Sequence, residues 1–392
     1  MRDTDDKQIP ACSPSLLSPR LVEQIRELAA RCDGPFYVYD QAAIEQNCRD
    51  FLAIPYADKS IHFASMANST RRFLEIVRGA GLQIFVNSPG HLALAREIGF
   101  AGQQIVYTSS AMDDGLLRLA HDAGAIVNLD SMGQLAAWRR LFGDEPVGIR
   151  CNIGELVEPR PTLAGYFLGK QSRLGLTVDE IESLAGQHGI AGLHVYVGTD
   201  ILDLGYFRDC YQQLARLTKL FPALRFVDFG GGFGLPHNSD APFPIEQYRD
   251  LVTELMTRLS NELGRSIRLL LEPGRIIGGA AGFFVCRVTD VKLRGDWQLI
   301  GLDASSTQFP RPLFYPADAR HPVTLLDAAD RSVTLRSSLY GCSTYSRDFL
   351  ARDLQLPATR IGDLVVLGQA GSYCATAFTH FLGFEPATEF FV

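Results

Sequence analysis

Leu269-Leu270-Leu271-Glu272-Pro273-Gly274-Arg275 divides the sequence into two rhythms. It is a short apolar run closed by a carboxylate, a proline turn and a guanidinium. Upstream, apolar runs fall at 60–66, 83–88, 104–109, 125–130, 146–153, 192–198 and 224–230, and the run at 268–272 makes eight. Amphipathic stretches such as Arg71–Gly79, Gly90–Ile98, Leu116–Ala123 and Tyr206–Leu220 separate them. Short β-branched runs alternating with helical patterns imply βα units and a parallel sheet. Eight such units predict a closed (β/α)8 barrel of the α/β class.

Downstream of Pro273, Val285–Leu293, Gln298–Leu302, Ser332–Leu335 and Asp363–Leu367 read as strands without long helices between them. The expected organisation is a leader over 1–34, with one amphipathic helix near Leu21–Arg31, a barrel over 35–280 and a β-rich domain over 281–392. Phe36–Tyr39 is expected to join the β-rich domain as a strand.

A chain of 392 residues with 46% apolar and 21% charged residues buries a full core and is not disordered. Its net charge of −7, without a basic cluster interleaved with aromatics, argues against a nucleic-acid surface. The eight cysteines are scattered with no C-x-x-C pair, so neither a disulfide framework nor a zinc site is expected. Reduced thiols in a cytoplasmic setting, and no metal, are the expectation. Met1–Pro10 is polar and acidic, unlike a signal peptide. The longest apolar stretch, Ile276–Cys286, is too short to span a membrane and carries three glycines.

Two turns carry candidate chemistry. In Val227-Asp228-Phe229-Gly230-Gly231-Gly232-Phe233-Gly234, consecutive glycines let backbone N–H groups converge on one anion, such as a phosphate. The pattern is neither G-x-G-x-x-G nor a Walker loop, and a tight turn is the plain alternative. In Glu272-Pro273-Gly274-Arg275, the arginine suits a phosphate or carboxylate and the glutamate suits a protonated ring nitrogen. A structural salt bridge is the alternative there. His194, on an apolar strand, reads as a hydrogen-bonded core histidine, and Ser109 and Ser110 read as helix caps.

Together these turns resemble the fold-type III pyridoxal-phosphate (PLP) amino-acid decarboxylases, of the diaminopimelate and ornithine decarboxylase kind, from about Pro35 to the C-terminus. Glu272-Pro273-Gly274-Arg275 matches the family turn unchanged, and Gly230-Gly231-Gly232 resembles its phosphate cradle. Arg150 and Asn152 resemble its Arg-x-Asn strand. Ser172-Arg173-Leu174-Gly175 is similar to Ser-Lys-Phe-Gly, and Asp348–Asp353 also follows the family pattern. Arg311-Pro312-Leu313-Phe314-Tyr315 looks like the segment that grips substrate carboxylate, with Arg311 and Tyr315. Gly371-Ser372-Tyr373 resembles Gly-Ala-Tyr, whose tyrosine reaches the cofactor.

Ile61-His62-Phe63-Ala64-Ser65-Met66-Ala67-Asn68 resembles the Tyr-Ala-x-Lys-Ala-Asn signature, but Met66 stands where the family lysine holds the cofactor as a Schiff base. A thioether can neither form an imine nor carry a proton. Tyr196 takes the place of a stacking histidine, and Thr199 that of a serine. Thr344 falls at the family's proton-donor cysteine and Tyr345 at a substrate-facing acid; a two-residue slip puts Cys342 at the cysteine position instead. His91 stands where a glutamate is frequent, and Leu382 where an asparagine is usual. Of the five lysines, Lys170 is the one substitute near the barrel's expected mouth, against the common surface role of lysine.

The resemblance implies PLP held non-covalently, an amino-acid substrate with a second carboxylate or amine, and a homodimer with shared active sites. Three readings stay open: a decarboxylase-class enzyme with altered chemistry; a non-catalytic homologue that binds PLP, an amino acid or a paralogous subunit; and a deliberate lysine-to-methionine replacement. The changes at Tyr196, Thr344 and Tyr345 favour divergence over the last.

Overall fold

The computed structural model describes residues 17–158, 167–236, 241–316, 319–326, 328, 330–331 and 334–392. Residues 1–16 of the expected leader therefore lie outside the described residues. The chain enters with a helix at Pro19–Ala29, two residues earlier than the apolar pattern suggests. Ser18 Oγ accepts the Leu21 N–H at 3.2 Å, and Pro19 occupies the first turn, where a missing N–H costs nothing. Strand β1 (Phe36–Tyr39) follows.

Eight parallel strands then close on themselves. They are β2 (Lys59–Ala64), β3 (Gln83–Val86), β4 (Ile105–Ser109), β5 (Ile126–Leu129), β6 (Val147–Arg150), β7 (Ile190–His194), β8 (Phe226–Asp228) and β9 (Arg268–Leu271). Closure is made where Lys59, Ser60 and Ile61 pair with Leu269, Leu270 and Leu271. Each of the eight expected runs overlaps one strand; β2 begins one residue and β7 two residues before its run. Helices Arg71–Gly79, Pro89–Ile98, Asp114–Asp122 and Leu204–Leu217 lie where amphipathic stretches were expected. The capping differs at one of them: Asp113 accepts the Leu116 N–H at 2.9 Å, whereas Ser110 Oγ donates to Asp130 at 2.7 Å.

The inside of the barrel explains its glycines. Ala64, Phe85, Val106, Ala191, Phe226 and Leu270 form one buried cluster. A Cβ at Gly192 would sit 1.9 Å from the Phe226 ring, and one at Gly148 would sit 2.2 Å from Asn128 Oδ1. Phe226 thus takes up volume that facing strands give up. Beneath it, at the N-terminal ends of the strands, lies a cavity of about 250 Å³ lined by Asp58, Gln103, Arg225, Phe226 and Arg268.

Residues 45–235 with 241–277 make up the compact unit that contains the barrel; 17–44, Pro236 and 278–392 make up a second unit. The second unit is a sheet built on the 13-residue strand β10 (Gly282–Arg294), with β11 (Trp297–Leu302), β12 (Val323–Leu325), β13 (Thr334–Tyr340), β14 (Phe349–Pro357) and β15 (Leu364–Leu367). Their order is β12-β15-β10-β11-β13-β14. β1 pairs antiparallel with β10, and β16 (Thr388–Phe391) pairs parallel with β1. The expected strand at Ser332–Leu335 begins at Thr334, its first two residues lying outside the described set. Among the described residues, no helix is long and apolar enough to cross a membrane.

Gly192→Ala is expected to lower stability by about 3 kcal/mol, the upper end of ordinary overpacking. Urea unfolding midpoints measure it. Adding Phe226→Leu should recover much of the loss, because the ring is what the new methyl meets.

Candidate active site

Side chains alternate along a strand, so residues two apart share a face. Thr108, Asp228 and Glu272 follow Val106, Phe226 and Leu270 of the lower cluster by two residues, Asn128 follows Ile126 that packs against it, and Arg150 and His194 follow Gly148 and Gly192; these six give a polar layer. Nδ2 of Asn128 donates to Thr108 Oγ1 and to Asp228 Oδ2, both at 3.2 Å. Nε2 of His194 lies 3.5 Å from Glu272 Oε2. Ligand atoms of His194, Asp228 and Glu272 all fall within 4.8 Å of one another, and all three residues are buried. The expectation of a hydrogen-bonded core histidine is therefore corrected: neither ring nitrogen of His194 has a hydrogen-bond partner among the described residues. Its neighbour is a carboxyl pair rather than the backbone.

Burial sets the protonation of this layer. It drives the Asp228 carboxyl well above its usual range, and the adjoining Glu272 charge pushes further. It also raises Glu272 to about 7, against the pull of the Asp228 hydrogen bond and the Arg150 charge. Asp228 therefore keeps the proton and donates it to Glu272. Desolvation lowers His194 to about 4, so the imidazole stays neutral. Arg150, itself pulled down by burial, is balanced by Asp130 at 3.7 Å and by Glu272.

Beyond the polar layer, the strand ends turn outward. Asp130 accepts from Ser110 Oγ at 2.7 Å and from the Gly175 N–H at 3.1 Å. Asn152 Oδ1 accepts the Gly169 N–H at 2.7 Å, while its Nδ2 donates to Gly169 O at 3.1 Å. Ser172 Oγ donates to Phe167 O and accepts the Leu174 N–H. The 169–175 segment is thus bound back at Gly169 to Asn152 after β6 and at Gly175 to Asp130 after β5. Tyr196 meets Phe167 edge to face at 5.0 Å between centroids. Thr199 is half-buried in the same segment.

The glycine turn is required by close backbone approach. A Cβ at Gly230 would fall 2.4 Å from Val195 O, at Gly231 2.4 Å from Glu272 O, and at Gly232 2.6 Å from Gly198 O. Gly230 and Gly232 have φ of +62° and +100°. These are conformations that favour glycine. Arg275 is buried, and its Nε lies 2.6 Å from Asp200, a residue itself at φ +52°. Its guanidinium fixes the 198–201 turn beside the glycines rather than standing free as an anion clamp.

Met66 lies just beyond β2 and is 41% exposed. Nδ2 of Asn87 points at its sulfur, 3.7 Å away, and Asn87 Oδ1 is 3.1 Å from His91 Nδ1. Lys170 is exposed in a turn.

The second unit holds the remaining candidates. Arg311 is buried, with Nη1 3.4 Å from His321 Nε2, and His321 Nδ1 donates to Gly368 O at 2.9 Å. Tyr315 is exposed. Asp348 organises the 341–348 loop by accepting N–H groups of Ser306 at 2.6 Å and Ser343 at 3.1 Å. On that loop Cys342 and Thr344 are exposed, and Tyr345 packs edge-on to Phe381. Tyr373 has φ +57°.

The chain thus combines a closed barrel, which carries a glycine turn and a buried carboxyl pair, with a mixed sheet. Residues 41–279 match the model of the pyridoxal-binding domain of pyridoxal-dependent decarboxylases, so the chain belongs to that family, which is pyridoxal-phosphate dependent. It is 29% identical over 365 residues to diaminopimelate decarboxylase of Methanothermobacter thermautotrophicus, covering 88% of this chain and 84% of that protein. It is 27% identical over 393 residues to Protein TabA of Pseudomonas amygdali pv. tabaci, covering 94% and 88%. In fold it is similar to diaminopimelate decarboxylase from Helicobacter pylori complexed with L-lysine, at TM-score 0.83 and 21% identity over 94% of each chain.

The barrel residues fit PLP at two ends. Glu272 Oε1 is buried without a hydrogen-bond partner among the described residues, which suits a ring N–H. The Gly230 N–H is taken by Asp228 Oδ1 at 2.9 Å, and the turn's other two amides, of Gly231 and Gly232, carry no side chain over them, which suits a phosphate.

Sequence reading did not single out Asn128, Asp130, Asp200 or the proton on Asp228. A signal for three of them was present: polar residues at alternate positions in apolar runs, as in Ile126-Val127-Asn128-Leu129-Asp130 and Phe226-Val227-Asp228.

Glu272→Gln is expected to change the pH dependence of folding. The native carboxyl sits near 7 against about 4.5 unfolded, so native Glu272 holds its proton while the unfolded one has lost it. That contribution to stability is present below 4.5 and is lost as pH rises to 7. The variant's stability relative to wild type should therefore climb by about 3 kcal/mol between pH 4.5 and 7 and then level off. His62, lowered by burial, acts in the opposite sense in both proteins and cancels in the comparison. Guanidinium unfolding across that range measures it; a pH-independent difference would show that Glu272 ionises like a free carboxyl.

Proposed function

We propose that this chain binds PLP without a lysine link and acts in the amino-acid decarboxylase class with altered chemistry. The observation that carries this reading is the thioether of Met66 in a barrel that also presents an unpartnered Glu272 Oε1 and a glycine turn. When bound, the cofactor supplies an electron sink for the pair left on carbon as carbon dioxide departs. The chain's own residues hold it in place. Glu272 would accept a ring N–H through Oε1, the amides of Gly231 and Gly232 would meet the phosphate, and the Tyr196 ring would lie against the cofactor face, while Gly230, whose N–H donates to Asp228, would shape the turn. Arg275 and Asp200 act from behind by fixing the turn.

The substrate on this reading is a small amino acid with a second amine or carboxylate. The names of the relatives and the residues Arg311, Tyr315 and Tyr345 support it. Thr344, or Cys342, would stand at the proton-donor position. A homodimer with shared sites belongs to the same proposal, and sedimentation equilibrium tests it. The non-catalytic reading, in which the site binds PLP, an amino acid or a paralogous subunit, follows from the same thioether.

Equilibrium dialysis with PLP, followed by borohydride reduction and peptide mapping, tests the first point. PLP should be retained but washed out by competing phosphate, with no reduced adduct on any lysine. An adduct on Lys170 would overturn the lysine-free reading. A Met66→Lys variant should gain a borohydride-trappable adduct at position 66. If it also gains decarboxylation, the rest of the site is competent; if it traps PLP yet remains inactive, the non-catalytic reading stands.

A further inference from the structure

The contact between Met66, Asn87 and His91 fixes more than the position of a thioether. A thioether sulfur only accepts, so the Asn87 NH2 group turns to Met66 at 3.7 Å. That leaves the carboxamide oxygen facing His91 Nδ1 at 3.1 Å. A carbonyl oxygen also only accepts, so Nδ1 must carry the imidazole proton. The other ring nitrogen, Nε2, is then the one with the lone pair. The residue's backbone is held as well: the His91 N–H donates to Ser88 Oγ at 3.2 Å in the first turn of Pro89–Ile98. Burial lowers the imidazole's pKa, and no charged neighbour contributes to that shift. A neutral imidazole at neutral pH follows.

We infer that His91, through Nε2, is the base that deprotonates the incoming amino acid at this mouth, and that Asn87 is its positioning residue. The inference rests on the reading that PLP and an amino acid meet beside Met66. An amino acid arrives as an ammonium, which has no lone pair with which to attack. Nε2 accepts one ammonium proton, the electrons of that N–H bond remain on nitrogen, and a neutral amine with an imidazolium results. A chain with a lysine at position 66 would have an amine of its own to exchange; Met66 has none, and its thioether cannot take the proton. Glutamate at position 91 would present acceptors only, and the Asn87 amide would have to serve both it and the sulfur. Imidazole resolves this by donating at one nitrogen and accepting at the other.

Two measurements test the inference. Two-bond 1H–15N correlation spectra of the imidazole should show His91 as the Nδ1–H tautomer in wild type. Asn87→Leu should shift it toward the Nε2–H form that predominates in free histidine. An Nε2–H tautomer in wild type, or no response to Asn87→Leu, would overturn the inference whether or not PLP binds. With PLP loaded and L-lysine as the probe amine, stopped-flow absorbance should show His91→Gln slowing their combination by about 10²-fold. PLP affinity by dialysis should stay unchanged, and His91→Glu should recover part of the rate. Equal rates in wild type and His91→Gln would sink the assignment. Failure of wild type to retain PLP at all would sink the proposed function instead, and the tautomer result would remain to be judged alone.

Discussion

A single proton shared by Asp228 and Glu272 conditions the rest of the barrel. Two carboxyls this close and this deeply buried cannot both be charged, so the fold keeps one neutral. The remaining charge has Arg150 as its counterpart, and Arg150 has Asp130. Asp130 in turn receives Ser110 and the Gly175 amide, which returns the loop after β6 to the barrel end. A chain of pairings therefore runs from the barrel axis to its rim. Each member is tolerable in a low-dielectric interior because the next one answers it.

The glycines serve the same geometry. Strand ends that carry Val195, Gly198 and Glu272 carbonyls come within contact distance of the 230–232 turn. No side chain fits there, so the turn offers backbone alone. Arg275 and Asp200 form the buttress behind it. What looks in sequence like two separate motifs, one of glycines and one ending in arginine, is one wall of the site.

The barrel was largely legible because its signal is periodic and repeated eight times; each run needed only to be apolar, short and followed by a helical pattern. The second unit was less so. Phe349–Pro357 contains Arg352 and Asp353 at its centre, and Asp353 sits at φ +54° in an irregular pairing with β13, so hydrophobic alternation fails there. Strands Val323–Leu325 and Thr388–Phe391 are too short to stand out from loops. At the site, residue types announced themselves where they broke an apolar strand, as Glu272 did. Partnerships did not. That Arg275 faces Asp200, or that Ser110 serves Asp130 rather than a helix, depends on strands distant in sequence coming together.

The Phe226 ring has a further consequence. It lies across the barrel between the cavity at the strands' N-terminal ends and the polar layer two residues above it, in space that Gly148 and Gly192 leave open. The ring thereby separates the basal cavity from the carboxyl pair, and a ligand seated over Glu272 would cover that pair from the opposite side.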